Sequence, residues 1–167
     1  MIESIETFEK LWAEERGFTG RILAALTDAS LSTAVGPQDR TLARIAWHLV
    51  TSLPEMMERT GLKLEGVAAD APVPASAAAI ASAYEGLADS LGRQVRTQWS
   101  DETLQVTDDM YGETWKRGAT LLVLILHQTH HRGQMTVLMR QAGLKVPGVY
   151  GPAREDWAGY GMTPPAV

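Results

Sequence analysis

The stretch TWKRGATLLVLILHQTHHRGQMTVLMRQAG, from Thr114 to Gly143, decides how this chain folds. Within it Leu124, His127, His131, Met135 and Leu138 recur at spacings of three and four, the period of one helix face rather than the alternation of a strand. Thr114 stands where a side-chain oxygen can cap the first free N–H groups of a helix. Arg140 falls in the last turn, and Gly143 stands where a C-terminal glycine ends a helix. The pattern predicts one long amphipathic helix between these two ends.

Working outward, three other stretches repeat that period. From about Ile2 to Leu26, Ile5, Phe8, Trp12, Ile22 and Leu26 share a side, and Gly17 and Gly20 predict a kink or break. From about Asp39 to Thr60 the stripe is Leu42, Ile45, Leu49, Leu53 and Met56, with Gly61 as terminator. Pro54 inside that span predicts a bend or a lost backbone hydrogen bond. From about Ala75 to Gln98 the stripe is Ile80, Tyr84, Leu87, Leu91 and Val95. Between them lie a turn at Thr33 to Gln38, broken by Gly36-Pro37, and long connections at Leu62 to Pro74 and Ser100 to Glu113. The alternation at Leu104 to Thr107 suits a short extended piece but predicts no sheet. From Val146 to Val167, Pro147, Gly148, Gly151 and Pro152 predict an irregular tail. The expected class is therefore all-α: a four-helix bundle with long inter-helix loops, one domain over residues 1–167, its C-terminal tail packed on the bundle or on a partner.

Composition limits the function. A chain of 167 residues can bury a core without disulfides or a structural metal, so a metal here would serve chemistry rather than folding. With 20 acidic against 15 basic residues and a formal charge of −5, no broad phosphate-binding surface is expected, and hence no nucleic acid partner. The longest purely apolar run, Leu121 to Leu126, is far short of a membrane span, and the acidic start from Met1 to Glu9 does not resemble a signal peptide. A cytoplasmic location is the simplest expectation. The absence of cysteine excludes thiolate ligands and a cysteine nucleophile.

Of the four histidines, three lie within five residues: His127, His130 and His131. Residues four apart on a helix project from one face, so His127 and His131 can reach a common cation. His130 falls to one side of the stripe. His48, three residues after Ile45 and one before Leu49, borders the apolar stripe of the second helix and can also point inward. An HxxxH pair alone equally describes two hydrogen-bonded core histidines.

The segment His127-Gln-Thr-His-His-Arg-Gly-Gln134 resembles the HxxxHRGQ motif of the DinB/YfiT-like metalloenzymes, and the similarity runs on through Leu138-Met-Arg-Gln-Ala-Gly143 to Pro147–Pro152. The resemblance implies that His127 and His131 on the final helix, with His48 in Ile45-Ala-Trp-His-Leu, are ligands of a divalent metal ion. Zinc or nickel is the expected ion, since nitrogen ligands suit several metals. It further implies a transferase or isomerase acting with a low-molecular-weight thiol on a small-molecule substrate, and a homodimer, while an open three-histidine site equally suits a metal-dependent hydrolase. The alternative is a noncatalytic metal-binding or stress-response module.

Three neutral imidazoles leave the ion's charge uncompensated, which suits activation of water or of a thiolate near neutral pH. No catalytic residue is assigned. Gln134 is a candidate to orient an imidazole, Arg132 to pair with an acidic neighbour, and Gly133 to admit another helix closely. Trp47, Tyr111 and Trp115 are candidates to line the pocket. Glu55, two turns beyond His48, is either a base or a solvated helix carboxylate.

Overall fold

A computed structural model describes residues 1–166. Its long helices are α1 (Ile5–Ala24), α2 (Leu42–Glu58), α3 (Ala77–Gln98) and α4 (Arg117–Gln141). Each of the first three starts at a hydroxyl residue: Ser4, Thr41 and Ser76 accept from the backbone N–H of Thr7, Arg44 and Ala79. These bonds satisfy donors that a helix leaves free in its first turn. Gly61 and Gly143, at φ +77° and +72°, follow the ends of α2 and α4 as the sequence predicts.

α1 packs on α3 and α4, while α2 packs on α3 and α4 from the other side, which closes a four-membered ring around one core. The buried face of α1 carries Phe8, Trp12, Glu15, Thr19, Ile22 and Leu23, again at spacings of mostly three and four. Trp12 also donates its indole N–H to the Ala88 carbonyl at 3.0 Å, fixing α1 against α3. The pairing of α2 with α4 matters most for function, because it brings residue 48 to residues 127–131.

Four expectations need correction. The molecule is mainly but not purely α: β1 (Thr107–Met110) and β2 (Glu113–Lys116) form a two-stranded antiparallel sheet in register Thr107 to Lys116 and Met110 to Glu113. Tyr111 and Gly112 make the turn, both with positive φ (63° and 86°), the geometry that suits the twist of a two-residue hairpin. Thr114 therefore lies in β2 and is not a cap. α4 begins at Arg117, whose guanidinium holds Asp108 of β1 through two hydrogen bonds of 2.9 and 3.1 Å. α1 runs unbroken through Gly17 and Gly20, because packing on α3 and α4 outweighs the weak helix propensity of two glycines. α2 continues through Pro54 to Glu58, without the one backbone N–H that proline lacks, as expected. Finally, Gly133 is exposed, and among the described residues no other helix comes within 4 Å of where its Cβ would sit, so the close approach expected there is not made within this chain.

Beyond α4 the tail is irregular apart from one short 3-10 helix, Trp157–Tyr160. It returns to the helices through Tyr150, whose ring meets Phe18 edge-on at 5.0 Å, and through Glu155, which is paired with Arg140. No helix among the described residues is long and apolar enough to cross a membrane.

Candidate metal centre

His48 from α2 and His127 and His131 from α4 converge on one point. Their potential ligand atoms all lie within 4.8 Å of one another, and His127 Nε2 is 3.1 Å from the Nε2 atoms of both His48 and His131. The three rings stand nearly perpendicular in pairs, with centroids 4.4 to 4.8 Å apart. The positions four apart on α4 do what helical geometry demands, and the direct α2–α4 packing supplies the third imidazole.

Burial keeps these rings neutral. Desolvation first, and then the neighbouring positive groups, push His48 and His127 down to about 4, and desolvation likewise lowers His131. His131 Nδ1 lies 2.7 Å from Gln134 Oε1, an oxygen that can only accept. His131 therefore carries its proton on Nδ1 and presents a bare lone pair at Nε2. The Gln134 amide nitrogen then donates to His130 Nε2 at 3.1 Å, which accounts for His130, exposed and outside the group of three.

Protons alone do not satisfy this arrangement. His127 Nε2 can donate to only one of its two neighbours, and doing so would leave His127 Nδ1 as the acceptor. That atom is buried and has no hydrogen-bond partner among the described residues. A divalent cation taking three Nε2 lone pairs removes the conflict among the Nε2 atoms and sets the His127 proton on Nδ1, so the donor set fits a metal ion.

Open space reaches the three rings from two sides. A cavity of about 480 Å³ has His131 in its wall, together with Val35, Asp39, Arg40, Ile45 and Leu138. A second, of about 460 Å³, is walled by His48, His127, Arg44, Glu55 and Tyr111. Glu55 is half-buried rather than solvated. It pairs with Arg59 and accepts a 2.6 Å hydrogen bond from the Tyr111 hydroxyl, while the Arg59 guanidinium sits 4.2 Å from the Tyr111 ring centre. Burial and the Glu55 carboxylate push the Tyr111 phenol up to about 12. Trp47 is buried and donates to the Ala71 carbonyl at 2.7 Å, so it supports the core; Trp115 packs edge-on against Tyr111.

Behind the centre lie Gln128, which the sequence reading did not single out, and Arg132, which it gave only as a partner for some acid. Gln128, fully buried, donates to the Leu49 carbonyl at 3.0 Å and so ties α4 to α2 beside His48 and His127. Arg132 does find an acidic partner, as expected, but deep inside: its side chain is 2% exposed and is bonded to Glu15, to the Thr19 hydroxyl at 2.9 Å and to the Tyr150 hydroxyl at 2.9 Å. For Gln128 the only sequence signal is position, since it directly follows a histidine of the centre.

The likeness to known proteins covers nearly the whole chain. The DinB family model matches residues 1–165. The uncharacterized protein YrdA of Bacillus subtilis is 45% identical over 167 residues, the full length of both chains. A crystal structure of a DinB-like protein from Bacillus cereus superposes with a TM-score of 0.86 at 46% identity, covering 90% of this chain and 100% of the other. The DinB-like protein YjoA of Bacillus subtilis, at 18% identity and a TM-score of 0.67 over 86% of this chain and 96% of its own, shares the fold. On the family match and these relatives together, the chain belongs to the DinB family.

Proposed function

We propose that this chain binds one divalent metal ion on His48, His127 and His131 and is a metal-dependent enzyme, either a hydrolase or a transferase that uses a low-molecular-weight thiol. One observation carries the catalytic half of the reading. The group of three histidines has no fourth His, Asp or Glu member among the described residues, and cavities open onto it from two sides. Structural zinc sites are closed by four protein ligands, whereas catalytic ones keep a position free. Zinc and nickel both suit an all-imidazole set. When bound, such an ion supplies Lewis acidity that makes a water or thiol nucleophilic near neutral pH.

The chain's own residues have distinct tasks. Gln134 holds His131 in the tautomer that offers Nε2. Gln128 holds the two ligand-bearing helices together. The Glu55–Tyr111 pair, beside His48 and His127, is placed to accept or deliver a proton at a substrate in that cavity. No cysteine exists to act as an internal thiol, so a transferase would take its thiol as a cosubstrate.

The test is elemental analysis of untagged protein beside a His127→Ala/His131→Ala variant, followed by activity panels of esters and of thiols with electrophilic acceptors. About one metal per chain in the parent, almost none in the variant, and turnover lost on chelation and restored by the metal are expected. Equal metal in both proteins, or none in either, would sink the reading.

A further inference from the structure

Arg40 and Arg44 differ from most arginines of this chain. Arg16, Arg59, Arg93, Arg96, Arg117, Arg132, Arg140 and Arg154 each pair with an aspartate or glutamate. Among the described residues no carboxylate oxygen comes within 4.0 Å of a nitrogen of Arg40 or Arg44. Both are exposed. Their position makes the missing partners notable. Thr41 caps α2, so Arg40 directly precedes the cap and Arg44 lies in the first turn, which holds no acidic residue. That end of a helix already carries the positive pole of the backbone dipole, and a cation there opposes folding.

Each of the two arginines lines a cavity that ends on the histidines. Arg40 shares its wall with His131, and Arg44 shares the other with His48 and His127. The acidic groups facing these cavities are Asp39 beside Arg40 and Glu55 beside Arg44, and Glu55 is already engaged by Arg59 and Tyr111. A chain of net charge −5 thus presents two uncompensated cations at the openings of its histidine centre. Guanidinium forks bind carboxylates and phosphates through paired charge-assisted hydrogen bonds.

We infer that the substrate of this centre is an anion, bearing a carboxylate or a phosphate whose charge is taken by Arg40 or Arg44 in the cavity that each lines, while its reacting group faces His48, His127 and His131. This deepens the metal-enzyme reading and rests on it for the placement of the reacting group. The anion site itself is testable without turnover. Succinate and inorganic phosphate are the probes, titrated by calorimetry into the parent protein, Arg40→Gln, Arg44→Gln, the double variant and Lys63→Gln, each as purified and after chelation.

The expected result is that one probe binds the parent and is weakened about tenfold or more by the double variant, an order of magnitude being the loss of one good charge-assisted contact. Lys63→Gln should bind as the parent does, and the Arg-dependent difference should persist in chelated protein. Preference for succinate would identify a carboxylate and preference for phosphate a phosphoryl group. Arg44→Gln should also raise Tm by about 1–3 °C, because a cation leaves a helix N-terminus. Binding of neither probe, equal binding by the parent and the double variant, or a fall in Tm for Arg44→Gln would overturn the inference. Metal retained with no arginine dependence would remove the anion site alone, and arginine dependence without metal would remove the metal reading alone.

Discussion

Gln134 acts on the centre without belonging to it. Its carbonyl oxygen accepts from His131 Nδ1 and so fixes which nitrogen of that ring is free. Gln134→Leu keeps the size and removes the acceptor. It should weaken metal binding about 10- to 100-fold in a competition with a coloured chelator, with Tm of the metal-free chain nearly unchanged. Unchanged affinity would show that ring packing alone orients His131. The depressed histidines give a second prediction, with a definite sign. In the metal-free folded chain His48 and His127 gain protons only near pH 4, whereas unfolded they gain them near 6.5. Between those values the unfolded chain binds more protons, so stability is full above pH 6.5 and is lost as pH falls towards 4. Urea midpoints across that range should decline less in His127→Gln than in the parent. The three histidines were legible from spacing and from resemblance to a motif. Arg132 was legible only as a residue seeking an acid, because a charge on a helix ordinarily marks the wet face, and its partner lies 117 positions away.

Elements differ in how openly the sequence announces them. The four helices follow from apolar spacing, with glycines ending two of them, all local signals, whereas the caps Ser4, Thr41 and Ser76 were not singled out and Thr114 was wrongly chosen. The hairpin does not, since its turn is Tyr-Gly where the favoured pair begins with Asn, Asp or Gly, and its strands are four residues each. Glycine roles are also hidden until neighbours are in place, which yields a matched pair of predictions. Gly17, inside α1 with open space where a Cβ would go, should accept alanine with a gain of about 0.5–1 kcal/mol. Gly118 is another matter. A Cβ there would stand 2.1 Å from the Ile2 carbonyl oxygen, on the segment whose Ile2 N–H donates to the Gly118 carbonyl at 3.1 Å. Gly118→Ala should therefore destabilise by about 1–3 kcal/mol, seen as a lower midpoint in urea. Both variants shifting the same way would refute this contrast.

At the scale of the whole molecule, the Glu15–Arg132 pair joins the first long helix to the last, and Tyr150 brings the tail to the same carboxylate. Both charges are nearly out of water, so removing one leaves the other unanswered. Glu15→Gln should cost about 3–5 kcal/mol in reversible unfolding, whereas Glu15→Leu combined with Arg132→Met should cost much less. Tyr150→Phe should cost about 1 kcal/mol, a single hydrogen-bonding group lost at a partly exposed position. A small loss in Glu15→Gln would mean that Arg132 finds other acceptors, with Thr19 and Thr129 the nearest.

The adjacency of His131 and Arg132 has a consequence for chain length. Over residues 127–132 the same short stretch of α4 serves two opposite neighbours, α2 through its histidines and α1 through the guanidinium. Each residue advances a helix by about 100°. Deleting or inserting one codon between His127 and Arg132 would therefore turn everything downstream through more than a quarter of a circle, and no rotamer change could return both groups to their partners. In a scan of single-codon indels the segment should be intolerant throughout, including at Thr129 and His130, whose side chains lie outside the group of three histidines; indels in the tail beyond Trp157 should be absorbed.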